Sequence, residues 1–318
     1  MNTFNDQESA LKVSGLVKRY GSMVALDHFD MDVHQGEIFG LLGPNGSGKT
    51  TAINCILSLL TYDSGTITIF GGTMGPTAFD LKRRVGMVPQ DVAVFDTLTV
   101  EENIDYFCSL YVPARSRRRH LVDEAIDFVG LGDFRRYRSS KLSGGLLRRL
   151  NIACGIAHKP DLIFFDEPTV AVDPQSRNAI LEGIGELNQQ GTTVVYTSHY
   201  MEEVEQICDR IMIMDHGRTI ALGTADELKD MIQVGERISV ETLDLDDSTL
   251  DAINALAVTQ SADYDGRELV IHCNRGDRNL QDVLTLLESR RVSFTHLTSR
   301  PPSLNDVFLE LTGKQLRD

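Results

Sequence analysis

The sequence predicts an α/β protein with a largely parallel sheet, joined to a second, smaller α+β domain. Three observations predict it. The strand-like run "GEIFGLL" at 36–42 enters a glycine-rich loop that passes at once into a helical pattern. From about residue 11 to 225, short apolar runs alternate with helical stretches, as strands joined by crossover helices do. After "GTADELKDMIQVGE" the pattern changes, and residues 236–318 read as a separate domain.

A chain of 318 residues has room for two ordinary domains whose cores need no disulfide or metal staple. Its five cysteines, Cys55, Cys108, Cys154, Cys208 and Cys273, show no C-x-x-C spacing. They fit reduced thiols better than a disulfide framework or a zinc site. No apolar stretch approaches the roughly 20 residues that cross a bilayer, and the polar, acidic start "MNTFNDQESA" is unlike a signal peptide. Any membrane role must therefore come through a partner. The net charge of −15 argues against a phosphate-backbone binder, which relies on clustered Lys and Arg. The one basic run, "RSRRRH" at 115–120, reads as a solvated loop or helix start.

Taking the elements in order, the loop at 41–57, "LLGPNGSGKTTAINCIL", carries Gly43, Gly48, Lys49 and Thr50 at the G-x-x-x-x-G-K-[ST] spacing, with Pro44, Asn45, Gly46 and Ser47 between them and Thr51 after. Glycines let backbone N–H groups turn inward around a phosphate, and the helix N-terminus faces the anion. Lys49 supplies a cation and Thr50 a hydroxyl for Mg²⁺, so a nucleoside triphosphate with Mg²⁺ is the expected ligand. Ile53, Ile56, Leu57 and Leu60 then recur at helical spacing. Residues 95–155, rich in helical periodicity and poor in strands, read as a helical insertion.

Two further buried runs follow, "DLIFF" at 161–165 and "TTVVYTS" at 192–198, each ending where polar residues begin. Ligands of doubly wound sheets collect at that C-terminal edge. The first run ends in Asp166 and Glu167. Adjacent carboxylates at a strand end point to different sides of the pleat, which leaves Asp166 free to hold Mg²⁺ and Glu167 to orient and deprotonate the attacking water. In the last domain, 237–243, 268–273 and 292–297 read as strands, with helices at 247–257 and 277–290 and a final helix from Ser303. That domain carries no cluster of His, Cys or paired carboxylates and reads as a structural or docking module.

In "LSGGLLRRL" at 142–150, Ser143 stands as the N-cap of a helix entered through Gly144 and Gly145. This segment resembles the signature of the ATP-binding cassette family, which begins L-S-G-G. Over about residues 11–225 the other elements occur in that family's order. Tyr20 in "KRYG" matches the aromatic that stacks on adenine. Gln90 in "GMVPQD" matches the glutamine that reaches Mg²⁺ and the nucleophilic water, and Asp173 in "VAVDPQSR" the aspartate of the loop that crosses between subunits. His199 in "YTSHYMEE" matches the histidine that contacts the γ-phosphate.

The resemblance implies a P-loop NTPase ABC-type core with a helical subdomain, and an ATPase using ATP and Mg²⁺. Glu167, His199 and Gln90 would be its catalytic residues, and Thr50, Gln90 and Asp166 would hold the metal. Ser143–Gly145 would serve the ATP held by a second copy, in a head-to-tail sandwich. "PTVAVDPQSR", "SHYMEEVEQICDRIMIMDHGR" and "PSLNDVFLELTG" resemble the bacterial ABC-2 type exporters, a group that includes drug and antibiotic resistance proteins. The implied partner is a separate integral-membrane permease, and the implied location is cytoplasmic, on the inner face of the membrane. Phe95 and Leu98 read equally as core residues or as permease contacts. The chain departs from the family at Leu146 and Leu147, where Gln and a polar residue are common, and has Ala171 where many such exporters have Gly. Two alternatives stand beside this reading: a soluble cassette ATPase acting on ribosomes or DNA, and an exporter of lipid or polysaccharide.

Overall fold

A computed structural model of the chain describes residues 8–170, 172–232 and 234–313. Ala171, one of the departures noted above, lies outside the described residues. The chain divides into two compact units, the first ending at Ala225 and the second starting at Asp226 rather than at 236.

The first unit opens with two long strands, β1 (Ser9–Tyr20) and β2 (Met23–His34), followed by β3 (Ile38–Leu42) and α1 (Lys49–Ile56). Next come β4 (Ser64–Ile69), β5 (Gly72–Thr73), α2 (Phe79–Lys82) and β6 (Val85–Val88). The insertion supplies α3 (Val100–Ser109), α4 (Arg115–Phe128) and α5 (Gly144–Ile156). The core resumes with β7 (Leu162–Asp166), α6 (Pro174–Gln189), β8 (Thr193–Ser198), α7 (Met201–Ile207), β9 (Arg210–Asp215) and β10 (Arg218–Gly223). The central sheet has six strands in the order β10-β9-β3-β8-β7-β6, all parallel except β10.

Beside the largely parallel sheet stands a second, antiparallel one, β2-β1-β4-β5, which the sequence reading does not name. Its inner residues Leu11, Val13, Phe29 and Ile67 share one core with Phe39, Ile53 and Phe164. The helix after the glycine-rich loop is shorter than the periodicity suggests. It stops at Ile56, because Ser58 takes a left-handed φ of 55°, and Leu60 packs on the core from outside the helix.

The insertion contains no strand among the described residues: its helices are joined by turns and two 3₁₀ segments, with one isolated bridge, Thr99 to Arg138. The basic run 115–120 forms the first half of α4. Thr99 and Glu102 close a capping box that starts α3, and Arg135 holds Glu101 with two nitrogens, at 2.9 and 2.8 Å. The five cysteines are free thiols. Burial pushes the Cys108 thiol up to about 11.

The second unit contains α8 (Ala225–Asp230) from Asp226 on, then β11 (Val234–Glu241), α9 (Asp247–Asn254), β12 (Thr259–Tyr264) and β13 (Glu268–Asn274). It ends with α10 (Asn279–Ser289), β14 (His296–Arg300) and α11 (Leu304–Thr312). Its four strands form one antiparallel sheet, β12-β13-β11-β14. The sequence reading misses β12, whose "TQSADY" buries only Thr259 and Ala262. It also sets the last strand too early, at 292–297. There Val292 and Phe294 precede the paired segment, which runs "HLTSR" and keeps only Leu297 of the apolar residues.

Phe164, at 0% exposure in the middle of β7, ties the carboxylate-bearing strand to this core. Phe164→Ala is expected to lower unfolding stability by about 3–5 kcal/mol in a guanidinium melt; a loss below about 1 kcal/mol would place that side chain outside the core.

Candidate functional site

The parallel register sends the loops after β3, β6, β7 and β8 off the same edge of the sheet, and these loops carry Lys49, Gln90, Glu167 and His199 respectively. The glycine-rich loop is a phosphate cradle by shape. A Cβ on Gly43 would lie 2.3 Å from the Met214 carbonyl and 2.6 Å from Ser47 Oγ. Gly48, at φ +111°, leaves no room either, with the Ala25 carbonyl 2.8 Å from the Cβ position. The chain there can only be glycine. Helix α1 starts at Lys49 with no side-chain cap and no acidic residue in its first turn, so its N-terminal N–H groups face outward unneutralised. Ser47 Oγ is buried without a hydrogen-bond partner. An anion in the loop would satisfy both.

Lys49 is 5% exposed and donates to the Gly43 carbonyl at 2.8 Å and the Pro44 carbonyl at 3.3 Å, with Glu167 Oε1 at 3.4 Å. Burial pulls its pKa below the ordinary lysine value, while the Glu167 charge opposes that shift. Glu167 gathers three groups in all. Besides Lys49, Gln90 Nε2 donates to its Oε2 at 3.4 Å and His199 Nδ1 lies 3.2 Å from the same oxygen. Its backbone is left-handed, at φ 47°. That kink, one residue past the end of β7, turns Glu167 away from Asp166, where the sequence reading expects the pleat to separate the two.

Asp166 accepts from the Thr50 hydroxyl at 3.0 Å and the Thr197 hydroxyl at 2.7 Å. Burial raises its pKa, and these two hydrogen bonds work against the rise. Among the described residues no three His, Cys, Asp or Glu side chains converge to cage a metal. The adjoining oxygens of Thr50 and Asp166 suit Mg²⁺, which keeps several waters and uses few protein ligands alongside substrate phosphates.

A cleft of about 380 Å³ opens over this edge. Its walls include Tyr20, Asn45, Gly46, Thr51, Gln90 and Glu167. Tyr20 is 44% exposed on the wall of the cleft, with Lys18 Nζ over its ring at 4.9 Å. Ser143, Gly144 and Gly145 do not line it. Ser143 caps α5 by accepting from Leu146 N at 3.4 Å, and Gly145 lies against Ser176 and Asp173. Asp173 itself caps α6 by accepting from Ser176 N at 3.0 Å. Leu146 and Leu147 are half-buried in the first turn of α5.

The sequence reading misses several neighbours of the site. Thr197 holds Asp166 and also accepts from Glu167 N at 2.9 Å. Arg148 donates to the Gln90 carbonyl at 2.5 Å, and Asn151 binds the Pro89 carbonyl and Ala93 N, so α5 clamps the Gln90 loop. Met23, Val24 and His216 also line the cleft. Only "TS" before His199 carries a local signal, as hydroxyls at the end of a buried strand; the rest are long-range contacts with no fixed spacing.

Fold and site together define a P-loop ATPase. Residues 26–170 match the ABC transporter family and residues 223–312 match the C-terminal domain of DrrA1-3-like ATP-binding proteins. The chain is 37% identical over 310 residues to the linearmycin resistance ATP-binding protein LnrL of Bacillus subtilis (strain 168), covering 97% of this chain and 100% of that one. It is 38% identical over 318 residues to the daunorubicin/doxorubicin resistance ATP-binding protein DrrA of Streptomyces peucetius, covering 97% and 94%. The ATP-binding cassette MJ0796, solved as a dimer in a post-hydrolysis state bound to ADP and Pi, superposes with a TM-score of 0.62 at 26% identity, over 67% of this chain and 98% of that one. The chain belongs to the ABC transporter family, as an ATP-binding subunit whose ATPase activity is coupled to transport.

The raised Asp166 pKa has a measurable consequence. A carboxyl whose native pKa exceeds its unfolded value contributes stability below the unfolded value, and that contribution is lost as pH rises through the native one. Asp166→Asn is therefore expected to melt above wild type at neutral pH without Mg²⁺, by about 2–4 °C for each kcal/mol relieved, with the gap closing as pH falls toward about 4. A variant that melts below wild type at neutral pH and gains on it toward acid would reverse the sign.

Proposed function

We propose that the chain is the ATPase of an exporter whose permease is a separate protein, with a drug or antibiotic as cargo. The observation that carries the chemistry is the meeting of Lys49, Gln90 and His199 on the buried Glu167 carboxylate, beside Asp166 and Thr50. The cargo class rests on the two resistance proteins, each aligned over nearly its whole length.

Each residue then has a part. Backbone N–H groups of 43–50 and the α1 N-terminus cradle the phosphates of ATP, Tyr20 stacks on the base, and Lys49 turns its charge from Glu167 to the phosphates. Thr50 and Asp166, with Gln90, would hold Mg²⁺, which supplies charge neutralisation across the transferred phosphoryl group. Glu167 orients and deprotonates the attacking water, and His199 contacts the γ-phosphate. Ser143–Gly145 of a second copy completes each site, giving a two-fold sandwich of two chains around two ATP molecules. Closure and reopening of that sandwich pass movement to the permease. The permease contact would lie beside the clamped Gln90 loop, at Phe95 or Leu98: Phe95 is 44% exposed and packs edge-on against Tyr106 at 4.9 Å, and Leu98 is half-buried. The whole assembly would sit on the cytoplasmic face of the membrane. Among the described residues no helix is long and apolar enough to cross it.

Glu167→Gln keeps the side chain's shape and removes the proton acceptor. Purified with MgATP, it is expected to retain nucleotide affinity and to lose turnover by about 10²–10⁴-fold, the usual worth of a general base, whereas Lys49→Ala loses affinity itself. Wild-type turnover by Glu167→Gln would remove Glu167 from the chemistry.

A further inference from the structure

Behind the phosphate-facing groups, side chains from three segments converge on one buried carboxylate, that of Glu203 on α7. Its Oε2 accepts from the Thr169 hydroxyl at 2.8 Å, the Tyr196 phenol at 2.7 Å and the Ser198 hydroxyl at 2.9 Å. Its Oε1 lies 3.2 Å from Arg177 Nε, an ion pair in which the two atoms are not aligned for a hydrogen bond. Glu203 is only 3% exposed. A carboxylate so far from water is tolerated only when it is paired and hydrogen-bonded, and breaking such a set leaves an uncompensated charge. Burial, reinforced by the Glu203 charge, holds the Tyr196 phenol well above the usual tyrosine range, so it stays a donor.

The donors are placed where they matter. Thr169 lies inside the turn that Val170 N closes on the Glu167 carbonyl, and Arg177 lies in the first turns of the helix that Asp173 caps. Ser198 precedes His199, and its oxygen also accepts from Tyr200 N at 2.9 Å, so the backbone on both sides of His199 is tied to the same cluster. The Arg177 guanidinium lies over the Tyr200 ring at 4.5 Å, and that ring lies 4.2 Å from the His199 ring. His199 in turn reaches Glu167 at 3.2 Å, a contact that a small shift of either backbone would break.

We propose that Glu203 is a positioning residue for ATP hydrolysis: its carboxylate holds the His199 backbone and the Glu167–Thr169 turn in one register, and it acts on turnover through His199 without touching the nucleotide. This rests on the roles proposed above for Glu167 and His199. Buried outer partners of this kind set the orientation of reacting groups, and a misplacement near 1 Å is enough to cost orders of magnitude in rate. Glu203→Gln is close to isosteric. It keeps an oxygen for the hydroxyl cluster but presents an amide N–H₂ to Arg177, so two donors meet where a carboxylate and a guanidinium did.

The test is a kinetic cycle on the purified full chain at saturating MgATP, with Glu203→Gln, His199→Ala and the double variant. Glu203→Gln is expected to melt cooperatively, keep KM for ATP within about twofold and lose kcat by roughly tenfold, whereas in the His199→Ala background it changes kcat by less than about twofold. A purely structural Glu203 would give the same tenfold loss in both backgrounds, or a loss carried by KM, and either result overturns the proposal. So does wild-type turnover by Glu203→Gln. Should Glu203→Gln fail to melt cooperatively, Ser198→Ala, which removes one hydroxyl from the cluster, takes its place in the same cycle under the same criteria. If His199→Ala alone turns over like wild type, the reading of His199 is what fails, and with it the group through which Glu203 acts.

Discussion

Two carboxylates taken out of water at the end of one strand set the terms for everything around them. Asp166 and Glu167 are 2% and 5% exposed, and each must be met by donors or a cation. Asp166 is met by the hydroxyls of Thr50 and Thr197, and Glu167 by Lys49, Gln90 and His199. These partners come from three segments, after β3, after β6 and at the end of β8, so their meeting with the carboxylates of β7 requires that four strands end at the same edge. A parallel order with β3 and β8 side by side, β7 next and β6 at the margin provides that edge. The second, antiparallel sheet and α1 close the core beneath it.

The pairing of Lys49 with Glu167 also explains how the site can change hands. Lys49 is desolvated, which weakens its hold on its proton, and the facing carboxylate at 3.4 Å offsets part of that loss. With the roles proposed for Lys49 and Glu167, a phosphate entering the cradle would offer Lys49 a more highly charged partner and free Glu167 for water. The left-handed backbone at Glu167 belongs to the same device, since it directs the carboxylate into this cluster instead of along the strand. Arg148 and Asn151 then carry the Gln90 loop on the helix that Ser143 caps, so the signature segment and the Glu167 cluster share one mechanical link.

Features with a fixed local geometry were legible in the sequence. Gly43 to Thr50 needs only eight consecutive residues, and the positions where a Cβ has no room are the motif glycines. The apolar strands β3, β7 and β8 are buried at every position, so they read as continuous hydrophobic runs. The half-exposed strands were harder. In β12 the polar "TQSADY" pairs with β13 through its backbone, and its side chains give no strong alternation. Glu203 and Arg148 were not legible as site residues, because their contacts are long-range: the hydrogen bond between Thr169 and Glu203, for one, joins positions 34 apart and leaves no spacing signature.

Within one chain the cleft is lined by the glycine-rich loop, Tyr20 and the carboxylate cluster, while Ser143–Gly145 stands outside it. In the proposed sandwich a second copy brings that segment to each ATP. Mixing two inactive variants tests this arrangement. Lys49→Ala and Ser143→Arg each spoil both sites of their own homodimer, but a mixed pair contains one site with Lys49 and Ser143 both intact. Turnover restored on mixing, toward about half the wild-type rate per mixed dimer if the two sites act independently, is the expected result. Ser143→Arg protein that is fully active alone, or a mixture as inactive as its components, would contradict a site shared between two chains.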